Sequence, residues 1–311
     1  MPTWGRILAE IQEKIKEGDR QAFDTVRKKY LKVLGDFTGR DTVVYASRWT
    51  SGDAPPSLIS INDEDIHAFM EAIAGLTGKS LDLILHTGGG SAEAADAIVS
   101  YLRQKYPDDI RIIIPQAAMS AGTMLACAAD RIVMGKQSSI GPIDPQFILQ
   151  TSVGIQSIPA QAIIEQFRKA QEDCKNNPAN LNSWLPMLSQ YGPALLVRCQ
   201  EQIDFGRELV GSWLKAYMFR NETSELPNQI ADYLSNHANF KTHGKHLNIN
   251  DAISLGLKVE VLEESQEFQD LVLSAFHATL HAFGGGPSVK VIANQNGNCF
   301  IKQMNIQIPK N

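Results

Sequence analysis

Leu81-Asp-Leu-Ile-Leu-His86-Thr-Gly-Gly-Gly-Ser91 and, one helix and one strand later, Pro115-Gln-Ala-Ala-Met-Ser120-Ala-Gly-Thr-Met124 decide how this chain folds. Each is a short apolar run followed by small residues and then a helical pattern. Short apolar strands that alternate with helices imply βαβ units and a parallel sheet buried on both faces. Working outward, strands are expected at 42–47, 81–86, 111–115 and 131–134, and helices at 62–76, 91–105 and 120–129. Residues 51–56 form a turn-rich loop, 116–119 a short link, and Asn62 caps a helix with Asp63, Glu64 and Asp65 in its first turn.

The flanks differ. Residues 4–34 read as one amphipathic helix, with Ile7, Ile11, Ile15, Phe23, Val26, Tyr30 and Leu34 at roughly helical spacing. From 159 to 236 the chain turns helical, with helices at 160–176 and 193–220 and punctuation by Pro178, Pro186, Pro193 and Pro227. A helix at 250–257, a strand at 259–262 and a helix at 266–283 follow. Two apolar runs, 288–294 and 298–304, flank Asn296-Gly297, a strong hairpin signal. The expected division is a helical segment 1–40, a main domain 41–265 and a C-terminal helix and hairpin 266–311.

Composition narrows the function. The 311 residues are 43% hydrophobic and 20% charged, with 29 Lys plus Arg against 34 Asp plus Glu, a formal charge of −5. This disfavours a disordered chain and a broad nucleic-acid surface. No apolar run is long enough to span a bilayer, and the first residues lack the layout of a signal peptide. Cys127, Cys174, Cys199 and Cys299 lie far apart with no CxxC pair, so we expect reduced thiols and a cytoplasmic protein.

Two spots carry chemistry. Glycines at 88–90 bring backbone N–H groups close to a ligand and suit an oxyanion or a phosphate, although the run is neither GxGxxG nor a P-loop. Ser120 stands between small residues at a strand-to-helix junction, where it is either a nucleophile or simply an N-cap. His277 and His281 are spaced i,i+4 without the HExxH glutamate, and His237, His243 and His246 cluster in an irregular segment. Neither set makes a good metal site, and we expect no metal and no cofactor.

The order strand, glycine loop, helix, strand, Met-Ser-Ala-Gly helix, strand and Ser138-Ser-Ile-Gly-Pro-Ile-Asp-Pro-Gln146 resembles the ClpP/crotonase superfamily. Within it the chain most resembles the SDH (serine dehydrogenase proteinase) family of Clp-fold serine proteases, which is also similar to signal peptide peptidase A. The resemblance is sharpest over 80–147 and extends to Thr242-His-Gly-Lys and Asp251-Ala-Ile-Ser-Leu-Gly-Leu257. It implies an α/β fold: a spiral of βαβ units with added helices, an N-terminal helix and a C-terminal β-hairpin. It implies a serine endopeptidase with Ser120 as nucleophile and an oxyanion hole from Gly89, Gly90 and Ala121. It further implies a polypeptide or peptide substrate and a homo-oligomer, with peripheral membrane association open.

The resemblance leaves the general base undecided. Clp-type proteases carry a histidine downstream of the serine, at a place that corresponds here to Asp144 or Pro145. No histidine lies between His86 and His237, so a triad in that order is absent. Relatives similar to signal peptide peptidase use a lysine, for which Lys169 and Lys175 fall in the corresponding stretch. His243 falls near the third triad position, and Asp144 either orients a base, binds the substrate amine or forms a turn. Two rival functions follow: a catalytically inactive Clp-fold assembly or binding module, and a crotonase-type acyl-CoA enzyme.

Overall fold

In the computed structural model, described over residues 4–304, the chain begins with helices α1 (Trp4–Lys16) and α2 (Ala22–Thr38), then strand β1 (Asp41–Ser47). Next come α3 (Pro56–Ile59), α4 (Asp65–Ile73), β2 (Ser80–His86), α5 (Ala92–Lys105), β3 (Asp109–Ile114) and the two-residue β4 (Ala117–Ala118). Then α6 (Ala121–Cys127), β5 (Arg131–Met134), β6 (Ser139–Ile140), β7 (Gln146–Thr151) and β8 (Gly154–Pro159) follow. Helices α7 (Ala160–Asn176), α8 (Leu181–Leu188), α9 (Leu195–Ala216), α10 (Leu226–Ser235) and α11 (His237–Phe240) form the helical stretch. The chain ends through β9 (Leu247–Asn248), α12 (Ile249–Ser254), β10 (Val259–Val261), α13 (Gln266–Gly284), β11 (Ser288–Asn294) and β12 (Cys299–Gln303).

The main sheet has the order β10-β5-β3-β2-β1-β11-β12. Strands β10, β5, β3, β2 and β1 are parallel, and the β11–β12 hairpin adds antiparallel to β1. A small second sheet, β4-β6-β9, lies after the carboxyl ends of the long strands. Long and short strands thus alternate along the chain: β3-β4 followed by α6, β5-β6 followed by the hairpin and helical stretch, then β9-α12-β10. This is the spiral of a ClpP/crotonase-like α/β fold.

The apolar runs are explained by two-sided burial. Val43, Tyr45, Leu83, Leu85, Ile112 and Ile114 face one core, while Val44, Ala46, Ile84 and Ile113 face the other. The second core is closed by Leu31 and Leu34 of α2 and by Val272 and Ala275 of α13. Each fully buried Val, Leu or Ile among them contributes about 1.5–3 kcal/mol.

Several expectations need correction. The helix expected over 4–34 is two helices, because the chain reverses at Gly18, whose φ is +88°. The helix expected over 62–76 is confined to Asp65–Ile73; Asn62 caps the preceding turn, its side-chain oxygen accepting from Glu64 N at 3.1 Å. The link at 116–119 contains β4, and the exposed β7–β8 hairpin was not foreseen. Residues 305–311 of the expected C-terminal segment lie outside the described residues. Among those described, no helix is long and apolar enough to cross a membrane.

Candidate active site

Strand β2 delivers the glycine loop. Past His86, the Thr87 backbone pairs with Ala117 O at 3.1 Å and accepts from Met119 N at 3.0 Å, which zips this loop to the segment that carries Ser120. Gly89 O accepts from Ile61 N at 2.9 Å, and Ser91 N donates to Ile61 O at 3.0 Å. A Cβ on Gly90 would stand 2.2 Å from Ile61 O, so only glycine admits this approach. Gly89, at φ +103°, donates its N–H to Thr87 Oγ1 at 3.1 Å. Among the described residues nothing accepts from the N–H groups of Gly90 or Ala121.

The strip that grips this loop is itself anchored. Lys290 of β11 is fully buried, and its Nζ bonds both Asp65 carboxylate oxygens at 2.7 and 2.9 Å and Ser60 O at 2.8 Å. The Tyr45 hydroxyl donates to Asp65 Oδ2 at 2.8 Å. The hairpin strand thereby fixes the segment 60–61 against the glycine loop.

Ser120 has φ 54° and ψ −119°, which lies outside every region that a residue with a side chain favours. It occupies the N-cap position of α6, yet its side chain makes no capping hydrogen bond. The N-cap reading is therefore met in position but not in chemistry. Helix α6 is wholly buried, so the strained turn is held from behind by packing.

Ser120 shares a cleft of about 390 Å³ with Gly88, Gly89, Gly90 and His243, walled by Trp49, Ile59, Met124 and Ile143. His243, in the turn between α11 and β9, holds its Nδ1 2.7 Å from Asp144 Oδ1. The other oxygen, Oδ2, meets His237 Nδ1 at 2.8 Å and Gln146 Nε2 at 3.0 Å. Asp144 is only 2% exposed, and both of its carboxylate oxygens are engaged by side-chain partners. With Asp144 ionised, both imidazoles present Nδ1–H to it, which leaves Nε2 of each as the acceptor.

Lys169 and Lys175 lie exposed on α7, and neither is among the residues that line the cleft. His246 is placed apart from the other loop histidines, with Nδ1 2.6 Å from Ser139 Oγ. His277 and His281 pack on Trp4, and His281 Nε2 lies 3.0 Å from Trp4 O. They join α1 to α13, and the burial that does so holds both imidazoles below their usual range. Among the described residues no three His, Cys, Asp or Glu side chains are grouped to hold a metal ion. A larger cavity of about 590 Å³ lies at the amino ends of the parallel strands. Its Arg40, Arg111 and Arg131 are paired with Asp82, Asp109 and Glu260. The role of His237 was not foreseen: it meets Asp144 across 93 residues, and no local pattern announces that pairing.

The family model of the ClpP-like SDH-type serine proteinases matches residues 56–183. That stretch holds the loop, Ser120 and Asp144; His243 lies beyond it. Two uncharacterised proteins of Methanocaldococcus jannaschii are similar to the chain. One is 44% identical over 87 residues, 28% of this chain and 30% of the relative. The other is 38% identical over 114 residues, 36% of each. The match thus spans about a third of the length of these relatives. Among solved structures, the 1510-N membrane-bound stomatin-specific protease aligns with 17% identity and a TM-score of 0.39, over 68% of this chain and 79% of that one. An enoyl-CoA hydratase/isomerase from Marinobacter aquaeolei aligns with 13% identity and a TM-score of 0.35, over 78% and 81%.

Proposed function

We propose that this protein is a serine peptidase that cleaves peptide bonds through an acyl-enzyme on Ser120. The observation that carries the reading is the Ser120 turn. A residue with a side chain is held at a strained positive φ, with its hydroxyl free of capping duty, in the cleft that also holds a histidine bonded to a buried aspartate. Strain of this kind persists where the surroundings enforce it, and it aims the side chain outward.

In the proposed reaction His243 Nε2 removes the Ser120 proton as Oγ attacks the scissile carbonyl, and the resulting imidazolium is held by Asp144 at Nδ1. The developing oxyanion is taken by the N–H groups of Gly90 and Ala121, each worth about 3–4 kcal/mol of barrier. Gly89 shapes the loop, since its own N–H is committed to Thr87. Collapse passes the proton from His243 to the leaving amine, and water then attacks the ester by the same base. No cofactor enters these steps. The substrate is a polypeptide or peptide, and assembly into a homo-oligomer in the cytoplasm, or at a membrane periphery, belongs to the same reading.

The test is hydrolysis of an unfolded polypeptide and of short fluorogenic peptides by wild type and Ser120→Ala. The expected result is turnover by wild type and loss of kcat in the variant. A change confined to KM would contradict the nucleophile role, and full function of the variant would favour an assembly module.

A further inference from the structure

Asp144 is shared by two histidines, and only one of them reaches the cleft. His237 opens α11, where Asn236 caps the helix and the His237 backbone N–H donates to Gln161 Oε1 of α7 at 3.0 Å. The backbone anchor holds the residue, and the 2.8 Å contact of Nδ1 to Asp144 Oδ2 holds its ring. Gln146 Nε2 shares the same oxygen at 3.0 Å. Among the described residues the groups on Asp144 are His237, His243 and Gln146, and no lysine or arginine pairs with it.

A carboxylate is free to rotate about its Cβ–Cγ bond unless both oxygens are engaged. With Oδ2 held by His237 and Gln146, Oδ1 is left facing His243. We propose that His237 is a positioning residue for the peptidase reaction: its neutral Nδ1–H locks Asp144 so that the other oxygen orients His243 as the base. The inference rests on the serine-peptidase reading and adds to it. His237 is not among the residues that line the cleft; it acts through Asp144.

The test uses full-length protein with His237→Leu and His237→Asn, where the asparagine amide places an N–H near the position of Nδ1. The expected result is that His237→Leu loses about 10- to 100-fold in kcat, the usual cost of removing an orienting partner, with little change in KM. His237→Asn restores most of the rate. Thermal unfolding of both variants checks the fold. If both variants fold and turn over as wild type does, or if His237→Asn is as poor as His237→Leu, the inference is overturned while the peptidase reading stands. If wild type itself neither reacts with a serine-directed probe nor cleaves peptides, both fall.

Discussion

Gly89 and Ser120 stand so close that a Cβ built on the glycine would lie 2.6 Å from the serine Cβ and 2.7 Å from Met119 O. The glycine loop and the serine turn are one packed unit, and Gly89 is at φ +103° besides. Gly89→Ala must therefore push the loop off the turn. We expect a loss of about 1–3 kcal/mol in urea unfolding, with turnover reduced at least 100-fold, because the Gly90 donor moves with it. A variant that unfolds as wild type and retains its kcat would show that the loop position does not matter.

Strain at Ser120 predicts a trade of stability against activity. Alanine at 120 keeps the strained φ, whereas glycine adopts it freely. Ser120→Gly should be more stable than Ser120→Ala by about 1 kcal/mol, with both inactive. Equal midpoints in chemical denaturation would remove the strain argument.

The base is separable by substitution. His243→Ala should lower kcat by about 100- to 10,000-fold, the usual contribution of a general base. Lys169→Ala, on the exposed face of α7, should leave the rate within about twofold, since surface changes of this kind are close to neutral. The reverse pattern in steady-state kinetics would assign the base to the lysine.

How much of this was legible follows from the physics of each element. The strands of the parallel sheet announce themselves because both faces are buried, so Ile112, Ile113 and Ile114 form an unbroken apolar run. The β7–β8 hairpin does not, because Ile148 and Ile155 are 75% and 71% exposed while Phe147, Leu149 and Ile158 pack only on a small cluster with α7 and α9, so apolar residues fall on both faces. The break at Gly18 was hidden by apolar residues that keep helical spacing on both sides, Ile7 and Ile11 before it and Phe23 and Val26 after. Ser120 and the glycines are local motifs and could be read directly. The carboxylate–histidine pair joins residues 99 apart through a loop, so sequence suggested its members by resemblance only.

Acid sensitivity should report on the buried imidazole behind the glycine loop. His86 is fully buried between Trp49 and Phe276, with ring centroids 5.7 and 5.1 Å away, and neither ring nitrogen completes a hydrogen bond. Burial, partly offset by the Ala117 backbone, pushes it down to about 4. Its unfolded value is near 6.5, so between these limits the unfolded chain binds the extra proton. The stability it allows is full above about pH 6.5 and is lost as pH falls toward 4, on the order of 3 kcal/mol in all. His86→Phe should flatten that part of the stability–pH curve, and an unchanged slope would count against the assignment.

The buried anchor behind residues 60–61 makes a further demand. Lys290→Met leaves Asp65 charged and unpaired, and should cost about 3–5 kcal/mol. Lys290→Met combined with Asp65→Leu should recover much of the loss, since the uncompensated charge is gone. A double variant no better than the single would mean that the pair is not coupled.

The most direct measurement is labelling with a fluorophosphonate, read by intact mass and peptide mapping, on wild type and Ser120→Ala. The account predicts one adduct per chain, mapped to Ser120 and absent from the variant. No adduct on folded wild-type protein, or an adduct that persists in Ser120→Ala, would contradict an activated serine at this turn.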